Sequence, residues 1–89
     1  MAYCEIYDED CNLVKTSDSL RGIIDYSRRV PVKTVTLFNA APALGVAPAL
    51  SVVWEDGAAT IVRFADATVM RQWAEARRCF KGAAFKYYD

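Results

Sequence analysis

The 89-residue chain has no histidine, which removes the commonest general base, proton switch and metal ligand together. Its four glycines are scattered singly and cannot build a phosphate-cradling loop, and neither a dinucleotide fingerprint nor a nucleophile–base pair is present. The expectation is therefore a protein that is not an enzyme and uses no cofactor. No charge of either sign prevails. Eleven Lys and Arg balance eleven Asp and Glu, so net charge supplies no pull toward nucleic acid, a membrane or an acidic partner. Cysteine is sparse and odd in number. Cys4, Cys11 and Cys79 stand alone, without a CxxC pair, and read as reduced, buried thiols and not as a zinc site. The chain opens on no secretory n-region and h-region, so a cytoplasmic protein is expected.

What is present is a folding composition: 54% hydrophobic, 25% charged, and rich in aromatics. A single domain over 1–89 is expected. Residues 34–54 carry no charge and are long enough to span a bilayer. Asn39, Pro42, Gly45 and Pro48 interrupt them, however, and the two ends are β-branched and aromatic in the manner of strands. No membrane association is expected.

The sequence also repeats itself. Ile6-Tyr7-Asp8-Glu9 reads like Val53-Trp54-Glu55-Asp56, Leu13-Val14-Lys15 like Ile61-Val62-Arg63, and Asp18 like Asp66. Leu20, Ile24 and Arg28-Arg29 then fall on Val69, Trp73 and Arg77-Arg78. Type, order and spacing agree, which predicts a duplicated unit, 1–38 and 50–89, joined by an apolar Ala/Pro connector at 39–49. Each unit is predicted as strand, strand, helix, strand. In the second, strands at 50–55 and 59–64 flank Asp56-Gly57, a dipeptide suited to a two-residue type I′ hairpin. Asp66 then caps a helix in which Val69, Trp73, Ala76 and Phe80 recur at helical spacing; Gly82 ends it, and 83–88 closes the unit as a strand. In the first, strands at 3–8 and 12–16 precede a helix capped at Ser17 or Asp18, stopped by Pro31 and followed by a strand at 32–38. The expected fold is α+β, with about six antiparallel strands and two helices.

The Asp56-Gly57 register turns Leu50, Val52, Trp54 and Ile61 one way and Val53, Val62 and Phe64 the other. Both sheet faces are then apolar, more than one layer of helices can cover. Association is expected, as a homodimer or through an open sheet face. The paired arginines Arg28-Arg29 and Arg77-Arg78, with Lys81, are read as two basic patches related by a pseudo-twofold axis, or as cations suited to helix C-termini. The hairpin tips are acidic, which makes the molecule electrically bipolar. Tyr87 and Tyr88, with Trp54 and Trp73, are the candidate aromatic anchors at an interface; of these Trp73 reads as core by its helical spacing and Tyr88 as the one most exposed.

Two further motifs fall short of their chemistry. Asp8-Glu9-Asp10-Cys11-Asn12 imitates the opening of a calcium loop, but Leu13 and Ser19 stand where glycine and a bidentate glutamate belong. Lys81, Gly82, Ala84, Phe85 and Tyr88 match the RNA-recognition-motif signature, while Ala83 replaces a stacking aromatic and Lys86 the core valine. That segment also follows the last helix, where the motif's fold places an internal strand.

Val62-Arg63-Phe64-Ala65-Asp66, a strand end leading into a helix that carries Trp73, resembles in manner the small proteins of phages and mobile elements, including anti-CRISPR inhibitors. The resemblance is one of size and style over half the chain, and it implies occlusion of a bacterial defence complex. Anti-CRISPR proteins that imitate DNA are strongly acidic, so the neutral balance here favours a shape-specific contact. The function expected is that of a protein-binding module, an inhibitor acting on a host protein or complex, at Arg28, Arg29, Arg77, Arg78, Lys81, Tyr87 and Tyr88. The alternative is a small nucleic-acid-binding protein that uses the arginine pairs.

Overall fold

The computed structural model describes residues 3–7, 10, 12–17, 20–39 and 48–88. Its elements are β1 (Tyr3–Tyr7), β2 (Leu13–Ser17), α1 (Arg21–Ser27), β3 (Val32–Phe38), β4 (Ala49–Trp54), β5 (Ala59–Arg63), α2 (Ala67–Ala76), a 3-10 turn (Arg78–Phe80) and β6 (Ala84–Tyr88). The fold is α+β. Strands β5, β4, β3 and β6 form a mixed sheet, and the backbones of β2 and β1 extend it in the order β2-β1-β5-β4-β3-β6. No helix among the described residues is long and apolar enough to cross a membrane.

The sheet is not wholly antiparallel, because β3 and β6 run parallel. The helices explain this. β2–α1–β3 and β5–α2–β6 each leave one strand and return in the same direction several strands away, which only a crossover over one face achieves. Both crossovers travel the same way across the sheet, so connections of one hand set both helices on the same face. There Ile23 of α1 and Met70 and Ala74 of α2 pack with Phe80 on Val35, Leu37, Leu50, Val52, Trp54, Val62 and Phe64.

This order also removes the expected pseudo-twofold. The hairpins β2-β1 and β5-β4 lie side by side in the same sense, while β3 pairs with β4 and β6 of the other half. A self-contained unit keeps its third strand beside its own hairpin, and neither half does so.

The β4–β5 hairpin differs from expectation by one residue. Leu50 pairs with Val62 and Val52 with Thr60. The loop is Glu55-Asp56-Gly57, closed by the Trp54 N–H donating to the Ala58 carbonyl at 2.9 Å. Gly57 takes φ 93°, the left-handed residue that follows a type I turn in three-residue hairpins. Because side chains alternate, a slip of one position exchanges faces. Ile61 moves to the open face with Val53, and Val62 and Phe64 move into the core. The open face is therefore less apolar than expected, with Thr34, Thr36, Ser51, Ala59 and Ala84 in register around Val53 and Ile61.

The helices are shorter than expected. α1 begins after Leu20 without a side-chain cap. In α2 the Asp66 carboxylate accepts from the Val69 N–H at 3.0 Å, as expected of that cap. Its buried stripe is Met70 and Ala74; Val69 and Ala76 are exposed and Trp73 is half-buried. The helix breaks at Arg77, which is extended (φ −80°, ψ 120°), before the 3-10 turn.

Candidate functional site: a basic cleft between the helix ends

The break at Arg77 decides where the arginines go. Ending α2 there and restarting as a 3-10 turn brings Arg77 and Arg78 to the C-terminal end of α1, where they meet Arg28 across a cleft of about 410 Å³. Ile24 and Ala76 supply apolar wall, and Ser27 and the half-buried Cys79 complete it. The Ser27 hydroxyl donates to the Ile24 carbonyl at 2.6 Å, which satisfies it within α1. A second cavity, also of about 410 Å³, is lined by Arg21, Ile24, Asp25 and Arg28. The two share Ile24 and Arg28, so the basic surface continues along α1 as a groove.

Each guanidinium is held differently. Arg77 is the most ordered: its Nε–H donates to the Trp73 carbonyl at 3.1 Å and its guanidinium lies 5.1 Å from the Trp73 ring centroid. Nε is consumed in that bond, so recognition falls to the terminal nitrogens, pre-oriented on the indole. Arg28 is exposed and makes a 3.8 Å ion pair with Asp25, a contact that water and salt weaken. Arg78 is exposed and forms no ion pair among the described residues. Three guanidiniums around a partly apolar cleft suit carboxylate or phosphate groups, which accept paired N–H donors.

The remaining expected site residues lie elsewhere. Arg29 sits 5.4 Å from the Tyr26 ring centroid, near the acidic hairpin tip, because the Tyr26 hydroxyl donates to the Asp56 carboxylate. At this tip, basic and acidic groups are therefore not cleanly separated. Lys81 is exposed just beyond the 3-10 turn and outside both cavities. Tyr87 is on the helix side of β6, in register with buried Leu37 and under Arg71 at 5.8 Å. Tyr88 is on the opposite side, stacked on Phe38. Tyr87 and Tyr88 thus belong to different surfaces. Trp54 is no interface anchor: it is 1% exposed, and its Nε1–H donates to the hydroxyl of buried Thr60 at 2.9 Å.

The Tyr26–Asp56 bond perturbs both groups. It holds the Asp56 carboxyl below its ordinary value, with help from the Ala58 N–H. It raises the Tyr26 phenol, to which desolvation adds. The calcium-like segment at 8–12 falls mostly outside the described residues, as does most of the 39–49 connector. Among the described residues no three His, Cys, Asp or Glu side chains are grouped to hold a metal.

Sequence reasoning missed Arg21, Ile24 and Ala76 as neighbours of the arginine pairs, and missed Phe38 as the partner of Tyr88. The first has no local signal, since it depends on packing between two crossovers. The second was available only through the parallel β3–β6 register. Compared with protein families, curated proteins and solved structures, the chain matches none.

Proposed function

We propose that this chain is a non-enzymatic binding protein whose contact surface is the basic cleft, and that its partner is a protein presenting an acidic segment. The convergence of Arg28 with the adjacent Arg77 and Arg78, from opposite halves of the sequence, on one cleft carries this reading. The apolar wall of Ile24 and Ala76 favours an amphipathic acidic peptide over a bare phosphate backbone, which offers no apolar face in return. Occlusion of a defence complex in the anti-CRISPR manner is a particular case of this reading, supported by the size and style of the chain and not by the cleft.

The test is fluorescence anisotropy with a labelled Glu- and Leu-rich amphipathic peptide and with a labelled DNA duplex, each titrated across a range of salt. The expected result is peptide binding that Arg77→Glu/Arg78→Glu weakens at least tenfold, with the duplex bound more weakly. Tighter duplex binding, lost with the same substitutions and falling steeply with salt, establishes the nucleic-acid alternative instead.

A further inference from the structure

Four large hydrophobic side chains are exposed among the described residues: Phe38, Val69, Tyr87 and Tyr88. All but Val69 gather at one place, the β6 end of the sheet. β6 is the last strand, and among the described residues nothing pairs with its second edge. That edge lacks the proline and the bulge that commonly keep strand edges apart. Ala84–Tyr88 holds no proline, and its register with β3 runs unbroken from Thr34↔Ala84 to Phe38↔Tyr88. Its one charged residue is the exposed Lys86. Tyr87, in register with buried Leu37, is 49% exposed on the helix side; Tyr88, stacked on Phe38, is 52% exposed on the other. A partner lying on either face covers one tyrosine. Only a strand that continues the sheet covers both, and it also meets the open N–H and C=O groups of the edge.

We propose that the strand filling this edge is β6 of a second copy, paired antiparallel about a two-fold axis perpendicular to the sheet. β6 itself has what the site asks of an incoming strand: an extended backbone with one open edge, and an aromatic on each face. Such an axis keeps each face on its own side, so one residue must pair with its own copy. Only two centres, Lys86 and Tyr87, set both tyrosines opposite residues of the second β6. Lys86 at the centre places two ammonium groups directly opposite, which opposes pairing. Tyr87 at the centre joins the two phenol rings on the helix side. On the other side it lays Lys86 of each copy beside Tyr88 of the other, a cation against an exposed π-face, so the edge complements itself. About half of each tyrosine is open, so the four rings of two copies can lose up to ~400 Å² together. Lys86 and the backbone add to this, and the interface stays under the ~1,200 Å² typical of weak, transient complexes, which makes the dimer micromolar. The pairing uses the β6 edge of both copies and closes at two. Both helix layers then face the same way. The dimer does not depend on what the cleft binds.

The experiment is sedimentation velocity of the full chain from about 5 µM to about 1 mM, with cysteine cross-linking to read the register. The parent is expected to pass from monomer to dimer with a midpoint of about 10–100 µM. Tyr87→Glu sets two carboxylates opposite each other and is expected to stay monomeric throughout, with the parent's circular dichroism spectrum. Tyr88→Ala removes the ring that Lys86 meets and is expected to weaken the dimer about tenfold. With copper–phenanthroline as oxidant, Tyr87→Cys is expected to link to its own copy, because opposed strand residues hold their Cα atoms ~4.5–5.5 Å apart, within disulfide range. Lys86→Cys is not expected to do so, and peptide mapping separates these links from any made by Cys4, Cys11 or Cys79. A chain that remains monomeric to about 1 mM overturns the proposal and leaves the edge to a strand of another protein. A dimer that Tyr87→Glu leaves intact overturns it too, as does self-linkage at Lys86→Cys in place of Tyr87→Cys. Loss of the dimer on Arg77→Glu/Arg78→Glu places the contact in the cleft instead. Species larger than the dimer require a head-to-tail contact that this axis excludes, and they equally overturn it.

Discussion

Trp54 shows how a single side chain can be misjudged from composition and yet be explained by bonding. An indole near a hairpin tip suggests an exposed anchor, but alternation along β4 turns it to the helix face, where its ring lies 4.7 Å from that of Tyr26. Once buried, its N–H needs an acceptor, and Thr60 is the polar residue inside the core that supplies one. Trp54→Phe leaves the Thr60 hydroxyl without that donor and the ring volume reduced. We expect a loss of about 1–3 kcal/mol, read as a lower urea midpoint at unchanged m. Two glycines should respond with opposite signs. Gly22 lies inside α1 with open space for 4 Å around the position a Cβ would take, so Gly22→Ala is expected to stabilise by roughly 0.5–1 kcal/mol. Gly82 has equal space but φ +86°, so Gly82→Ala is expected to cost about 1–2 kcal/mol through backbone strain alone.

Among the elements, the β4–β5 hairpin was legible and its register was not. Asp56-Gly57 marks a turn, but the same dipeptide serves a two-residue loop or the end of a three-residue one, and the difference of one position exchanges Ile61 with Val62. α2 was legible at its start, where Asp66 caps, and not at its end. Asp66→Ala is expected to lower stability by about 1 kcal/mol in thermal melts, with α1 unaffected. The Tyr26–Asp56 bond ties α1 to the hairpin tip and carries a pH signature. The Asp56 carboxyl is lowered from 3.8, so its contribution is complete above that value and is lost as pH falls through the lower folded value. The Tyr26 phenol is raised from 10.0, so its contribution is complete below that value and is lost as pH rises through the higher folded one. Tyr26→Phe is expected to reduce Tm near neutrality and to flatten both limbs of the stability profile. Asp56→Asn should flatten the acid limb; an acid limb identical to the parent's would mean that the bond does not form in solution.

For the whole molecule, the decisive event is that both crossovers run the same way over one face. That places the ends of two helices side by side, so arginine pairs that read as two separate patches become one cleft, with Arg29 diverted to Tyr26. Charge reversal at Arg77 and Arg78 is expected to abolish acidic-peptide binding, with a drop in urea midpoint confined to the Arg77 substitution, which gives up the Trp73 carbonyl bond and the stack on its ring, while Arg78 is exposed. Arg77→Lys keeps the charge but loses the Nε bond and the planar stack, and an intermediate affinity is expected. Equal affinities of Arg77→Lys and the parent would show that charge alone, without orientation, serves the cleft.

The sequence by itself determined the α+β class, the presence of two helices, the Asp66 cap and the strand at 32–38, because propensity and capping act within a few residues; it did not determine the end of α1, which stops at Ser27, short of Pro31. Only the tertiary structure decided the parallel β3–β6 pairing, the face that each strand presents and the meeting of Arg28 with Arg77 and Arg78. These depend on strand order and on a one-residue register. Both are settled by which set of side chains fills the shared core best, a quantity that belongs to the assembled sheet and to no single segment of the chain.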